Sequence, residues 1–183
     1  MISNFREQIA ILFFRFFQTF HLEQLLFKVM LHRKRRAYAF LDYFKDFETV
    51  EVVNQIFRGK TIEVLRNLKV EFSLLGGYMW INNANGHLVV NSRYLSQGNK
   101  LYIYLDLVHE LVHVKQFLEG QDLFDTAFSC SERRTEIEAY RYAVTEARRL
   151  GLDDKRICRY LETEWLHRED LIKLATILNV TCS

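Results

Sequence analysis

Residues 70–91 read Val-Glu-Phe-Ser-Leu-Leu-Gly-Gly-Tyr-Met-Trp-Ile-Asn-Asn-Ala-Asn-Gly-His-Leu-Val-Val-Asn, and here the helical period of the preceding sequence breaks off. Val70 to Leu74 alternates apolar with polar, Gly76-Gly77 interrupts, and Tyr78 to Ile81 is a compact aromatic and apolar run. His87 to Asn91 is a third extended candidate. Asn82-Asn83-Ala84-Asn85-Gly86 lies between the last two, and its Asn and Gly residues tolerate positive φ, which places a hairpin turn at Asn85-Gly86. The expectation is an α+β fold, mostly helical, with a small sheet of about three strands, at least partly antiparallel.

Helical sequence lies on both sides. Toward the N-terminus, Phe5, Ile9, Leu12, Phe13, Phe16, Phe17 and Phe20 recur at helical spacing, and Leu22, Leu25, Leu26, Val29 and Met30 continue the stripe. A third amphipathic stretch covers Ala37 to Phe47, followed by shorter helices at Glu48 to Phe57 and Thr61 to Leu68. Toward the C-terminus, the spacing predicts helices at Lys100 to Leu118, Ser131 to Leu150, Asp153 to about Trp165, and Glu169 to Leu178. Gly120 and Gly151 are stops, and Asp153 is a candidate N-cap. The seam falls near Lys69, which divides the chain into an N-terminal helical region, 1–68, and a domain of 69–183.

Composition narrows the function classes. A net charge of +2 over 183 residues gives no basis for nucleic-acid binding, which needs a concentrated basic surface. Cys130, Cys158 and Cys182 are an odd and scattered set, read as free thiols in a reducing compartment and too dispersed to ligate a metal. The apolar run from Ile9 to Phe20 is too short to span a bilayer, and no small-residue cleavage site follows it, so a cytoplasmic protein is expected. The aromatic stripe from Phe5 to Phe27 reads as packing surface. The alternative is a membrane-peripheral helix assisted by the basic run His32 to Arg36.

Chemistry enters at Leu107-Val108-His109-Glu110-Leu111-Val112-His113, a His-Glu-x-x-His pattern inside sequence already read as helix. At 3.6 residues per turn His109 and His113 share a face, one turn apart, and can ligate one metal ion. Glu110 stands beside the first ligand, where a carboxylate can act as base toward a water. A chance match in a chain of this length is expected at about the one-per-cent level. A catalytic zinc site uses three protein ligands, and the third is sought in the helix from Glu132 to Ala143. Glu136 shares a face with Ala139, Tyr140, Ala143 and Ala147, whose small side chains permit close helix approach. Glu138 points the other way, among Arg134, Arg141, Thr145 and Arg149, a solvated face. Glu136 is therefore the expected ligand, with Glu132 as runner-up.

This pattern resembles the gluzincins, zinc peptidases with HExxH on one helix and a ligand glutamate on a following one; Glu136-Ile137-Glu138-Ala139-Tyr140 looks like their second motif. The resemblance covers about Val70 to Gly151, and the order of sheet, HExxH helix and glutamate helix looks like a minimal domain of the minigluzincin type. It implies a zincin-like fold, one Zn2+, a peptide or protein substrate, and a substrate-binding strand that would be His87, Leu88, Val89, Val90 and Asn91. Tyr140 stands where the family often has an acid or amide that orients a histidine. Tyr140 and Asp106 are the candidates for transition-state or ligand-orienting roles, with Tyr142 and His167 as weaker nominees for the oxyanion. The expected activity is zinc-dependent peptide hydrolysis with Glu110 as general base. The alternative is a metal-stapled interaction module without catalysis.

Overall fold

The computed structural model describes residues 37–182 apart from 75, 124, 126–128, 130 and 165. The expected N-terminal helices, with their aromatic stripe and the run His32 to Arg36, lie outside the described residues. The chain divides into two compact units, one ending at Gly98 and the other beginning at Asn99. The strand that starts at Lys69, where the seam was expected, pairs with Ala37–Ala39 in the first unit.

The first unit runs β1 (Ala37–Ala39), α1 (Phe40–Tyr43), a 3-10 turn (Phe47–Thr49), α2 (Glu51–Phe57), α3 (Thr61–Asn67), β2 (Lys69–Ser73), β3 (Met79–Ile81), β4 (Leu88–Asn91) and α4 (Ser92–Gln97). Among the described residues the sheet has four strands rather than three, in the order β1-β2-β4-β3. β1 is antiparallel to β2, β2 parallel to β4, and β3 antiparallel to β4. The long helix expected over Ala37 to Phe47 does not form. Ala37–Ala39 pairs with Lys69–Glu71 instead, and Asp46, at φ 66°, breaks the chain between α1 and the 3-10 turn. The spacing of Phe40, Phe44 and Phe47 that suggested a helix has another use. Their rings cluster, with the Phe40 centroid 4.9 Å from Phe44 and 5.6 Å from Phe47, and all three are buried with Val53, Ile56, Leu65, Val70 and Leu88. The β3–β4 turn is where Asn and Gly predicted it. Gly86 takes φ 71°, and its N–H donates to the Asn82 carbonyl at 2.7 Å.

The second unit is helical: α5 (Lys100–Leu118), α6 (Arg134–Arg149), α7 (Asp154–Leu161) and α8 (Arg168–Ile177). Asn99 caps α5, its Oδ1 accepting the N–H groups of Leu101 and Tyr102 at 3.0 and 3.3 Å. Asp153 caps α7 by accepting the Arg156 N–H at 2.8 Å. α5 and α6 pack against each other along a face that buries Ala139, Ala143 and Ala147. Further along this face the Tyr104 hydroxyl donates to Oε1 of the buried Glu146 at 2.6 Å, and Arg149 Nε donates to Glu146 Oε2 at 2.6 Å. This charged clamp links the two helices and fixes how far one can slide on the other. No helix among the described residues is long and apolar enough to cross a membrane.

Two of the cysteines are not free thiols. Cys158 and Cys182 form a disulfide, their Cα atoms 5.4 Å apart. The tail after α8 turns back along α7: Thr181 N–H donates to Asp154 Oδ2 at 2.8 Å, and the Arg148 guanidinium donates to the Leu178 and Asn179 carbonyls. That return path brings together two residues that look remote in sequence. Joined sulfurs give no reason to expect a reducing compartment. With 24 residues of sequence separation, the cross-link is expected to stabilise the fold by about 3 kcal/mol through the unfolded chain. Cys182→Ser, or reduction of the native protein, should lower the urea midpoint accordingly. An unchanged midpoint on reduction would show that the thiols are not joined.

Candidate metal centre

Leu107 to Val114 is an unbroken buried run on α5, and within it lie three polar residues, His109, Glu110 and His113, each 6–7% exposed. Amphipathic surface helices do not bury polar groups in this way, and unsatisfied ones are costly. His109 Nε2 and His113 Nε2 point at each other across 2.9 Å, as their one-turn spacing predicted. Glu136, in the first turn of α6, completes the group. Its Oε2 lies 3.4 Å from His109 Nε2 and its Oε1 3.6 Å from His113 Nε2.

These three residues can hold a metal ion. The fit can be tested against bond lengths. Bonds of roughly 2.0–2.1 Å at tetrahedral angles space donor atoms about 3.3 Å apart. The observed separations of 2.9, 3.4 and 3.6 Å bracket that value. Oε2 of Glu110 and Nδ1 of His109 are buried and have no hydrogen-bond partner among the described residues. Buried polar atoms are seldom left unpaired, and Glu110 carries one on the helix that also bears both imidazoles.

Electrostatics describe the same group without metal. Burial depresses the pKa of His109. For His113, burial also acts downward but is outweighed by its hydrogen bond to Glu136 and the charges of Glu110 and Glu136, which push the pKa up to about 9. Burial would raise Glu136, yet its hydrogen bonds to His109 and His113 prevail and hold it well below the usual carboxylate range. Glu110 is raised to about 8 by burial, opposed by His113 and reinforced by the charges of Glu136 and Asp106.

The other nominated residues are placed as follows. Glu132, the runner-up ligand, is exposed, accepts a hydrogen bond from Ser129 Oγ at 3.0 Å and lies 3.8 Å from Lys173 Nζ. Tyr140 packs its ring against His109, centroids 4.4 Å apart. Asp106 is half-buried and acts on Glu110 through its charge. Neither orients His109 through Nδ1. His167 is exposed at the N-cap of α8. The strand assigned to substrate is a central one: Leu88, Val89 and Val90 are paired on one side with Val70, Glu71 and Phe72 and on the other with Ile81, Trp80 and Met79. An extended peptide cannot add to β4, because its backbone is already paired on both sides; among the described residues β1 and β3 are the sheet's edges. His87 precedes β4 and hydrogen-bonds through Nδ1 to Glu71 Oε1 at 2.7 Å.

Two residues were overlooked. Gln116 is fully buried, with Oε1 2.7 Å from His113 Nδ1 and Nε2 2.9 Å from Glu138 Oε2. Glu138, read as a solvated acid, faces α5 instead, where Lys115 Nζ also donates to it at 3.0 Å. Burial would raise its pKa, but hydrogen bonds from Gln116 and Lys115 prevail and lower it. The signal for Gln116 was available, since it follows His113 by three residues on one helix face.

No family model matches the chain, and no curated protein or solved structure shows significant similarity to it. The site therefore has to be tested on its own geometry. Titrated with Zn2+ or Co2+, the protein should take up one equivalent. His109→Ala, His113→Ala and Glu136→Ala should each weaken uptake by more than the roughly 100-fold that loss of an outer-shell partner can cause. Glu132→Ala should leave it unchanged; uptake lost there and kept in Glu136→Ala would reverse the ligand assignment.

Proposed function

We propose that the protein is a zinc-dependent peptidase of gluzincin-like design, with His109, His113 and Glu136 as ligands and Glu110 as general base. The observation that supports it is a donor triangle of suitable size with a buried, unpartnered Glu110 oxygen beside it. Two neutral nitrogens and one carboxylate oxygen are a donor set suited to zinc, and three protein ligands are the number that leaves a position open. Bound zinc would supply a Lewis acid for a carbonyl oxygen and acidify water.

The chain's own residues do the rest. Glu110 accepts the proton of the attacking water at its carboxylate and returns it to the departing amine, so one group serves as base and then as acid. Tyr140 holds the His109 ring in place by packing against it. Burial of the ligand groups strengthens every charge interaction among them. The substrate in this reading is a peptide or protein.

A metal staple without catalysis would use the same ligands but has no need of Glu110, and this separates the two readings. Glu110→Gln should reduce hydrolysis of a fluorogenic peptide mixture by about 10³-fold or more while metal content stays at one equivalent. A chelator should abolish hydrolysis in the wild type, and added Zn2+ should restore it. Full activity in Glu110→Gln would remove Glu110 as the base, and a zinc-loaded wild type that hydrolyses nothing in the mixture would remove the peptidase reading and leave the staple.

A further inference from the structure

We infer that Gln116 is the positioning residue of the metal centre, fixing the proton of His113 on Nδ1 and setting α6 in register with α5; this rests on the metal reading above. The side-chain amide faces three groups: the Thr135 carbonyl at 3.0 Å, Glu138 Oε2 at 2.9 Å and His113 Nδ1 at 2.7 Å. A carbonyl and a carboxylate only accept, so both must meet the NH2 end of the amide, whose two protons they consume. The third contact therefore falls on Oε1, which only accepts. His113 Nδ1 must be the donor. With its proton on Nδ1, the imidazole presents the lone pair of Nε2 to the point shared by His109 and Glu136.

The amide's orientation is in turn held from outside the ligand set. Glu138 accepts from Lys115 through Oε1 and from Gln116 through Oε2, so the NH2 end has a fixed acceptor that a flipped amide would lose. A flip would also set Oε1 against two acceptors in a fully buried place. The second consequence concerns α6. Thr135 directly precedes the ligand Glu136, so the bond to its carbonyl ties the start of that helix to the same side chain that orients His113. One residue thus fixes a ligand's tautomer and the approach of the ligand opposite it.

The test uses the full chain and Zn2+, with affinity read by competition against a chelating indicator. Gln116→Met keeps the side chain's length and apolar packing and removes all three hydrogen bonds. It should weaken zinc binding by roughly 10–100-fold with the fold intact by circular dichroism. Glu138→Gln keeps an acceptor for the amide but loses its charge, and should weaken binding by a smaller factor of a few. In the zinc-loaded wild type, long-range 1H–15N spectra should show His113 protonated at Nδ1 and protected from exchange, with that protection lost in Gln116→Met. Unchanged affinity and an unchanged Nδ1 proton in Gln116→Met would overturn the assignment while leaving the metal reading standing. A wild type that takes up no zinc would overturn both.

Discussion

Four polar side chains, His109, Glu110, His113 and Gln116, are buried on one helix whose remaining buried positions are mainly Leu, Val and Ile. Taking such groups out of water is unfavourable unless each finds a partner. That requirement governs the second unit. Glu136 must come from α6 to meet the two imidazoles, Gln116 must reach the carbonyl that precedes it, and the helices must approach closely enough for both. Ala139, Ala143 and Ala147 make that approach sterically possible. The Tyr104–Glu146–Arg149 clamp then holds α6 on α5 away from the ligand groups, toward the start of α5 and the end of α6.

Seen this way, the centre has an inner and an outer layer built from the same two helices. Nε2 of each histidine and the carboxylate of Glu136 face inward. On the far side of His113 run Gln116, Glu138 and Lys115, a chain ending in a charge near the surface. His109 is held differently. Its ring is flanked by Tyr140 and by His113, and its Nδ1 lacks a partner among the described residues. The two ligand histidines are thus unequal: one is oriented by hydrogen bonding and the other by packing. The asymmetry follows from α6, which sets Glu138 to hold Gln116 behind His113 and a phenol ring against His109.

Local periodicity and turn chemistry made much of this legible in advance. Lys100 to Leu118 was readable as a helix from apolar spacing, the Asn82 to Gly86 turn from its residues, and the Asp153 cap from its side chain. The convergence of His109, His113 and Glu136 was readable because two members lie on one helix turn and the third lies on the alanine face of the next helix. Glu138 was misplaced because its nearest positive charges in sequence are arginines of its own helix. In the fold it turns to Lys115 and Gln116, which are near only once α5 and α6 are packed.

Elements whose partners are distant in sequence escaped. Ala37–Ala39 carries no strand signal of its own and becomes one by pairing with Lys69–Glu71. β4 looked available to a substrate until β2 and β3 were found on either side of it. Cys158 and Cys182 looked solitary because only the returning C-terminal tail makes them neighbours. By itself the sequence determined what depends on separations of a few residues: helix faces, caps, turns and the one-turn spacing of two imidazoles. Tertiary structure alone decided which strands pair, which acids turn inward and which sulfurs meet, because those outcomes depend on which distant groups must share a water-free interior.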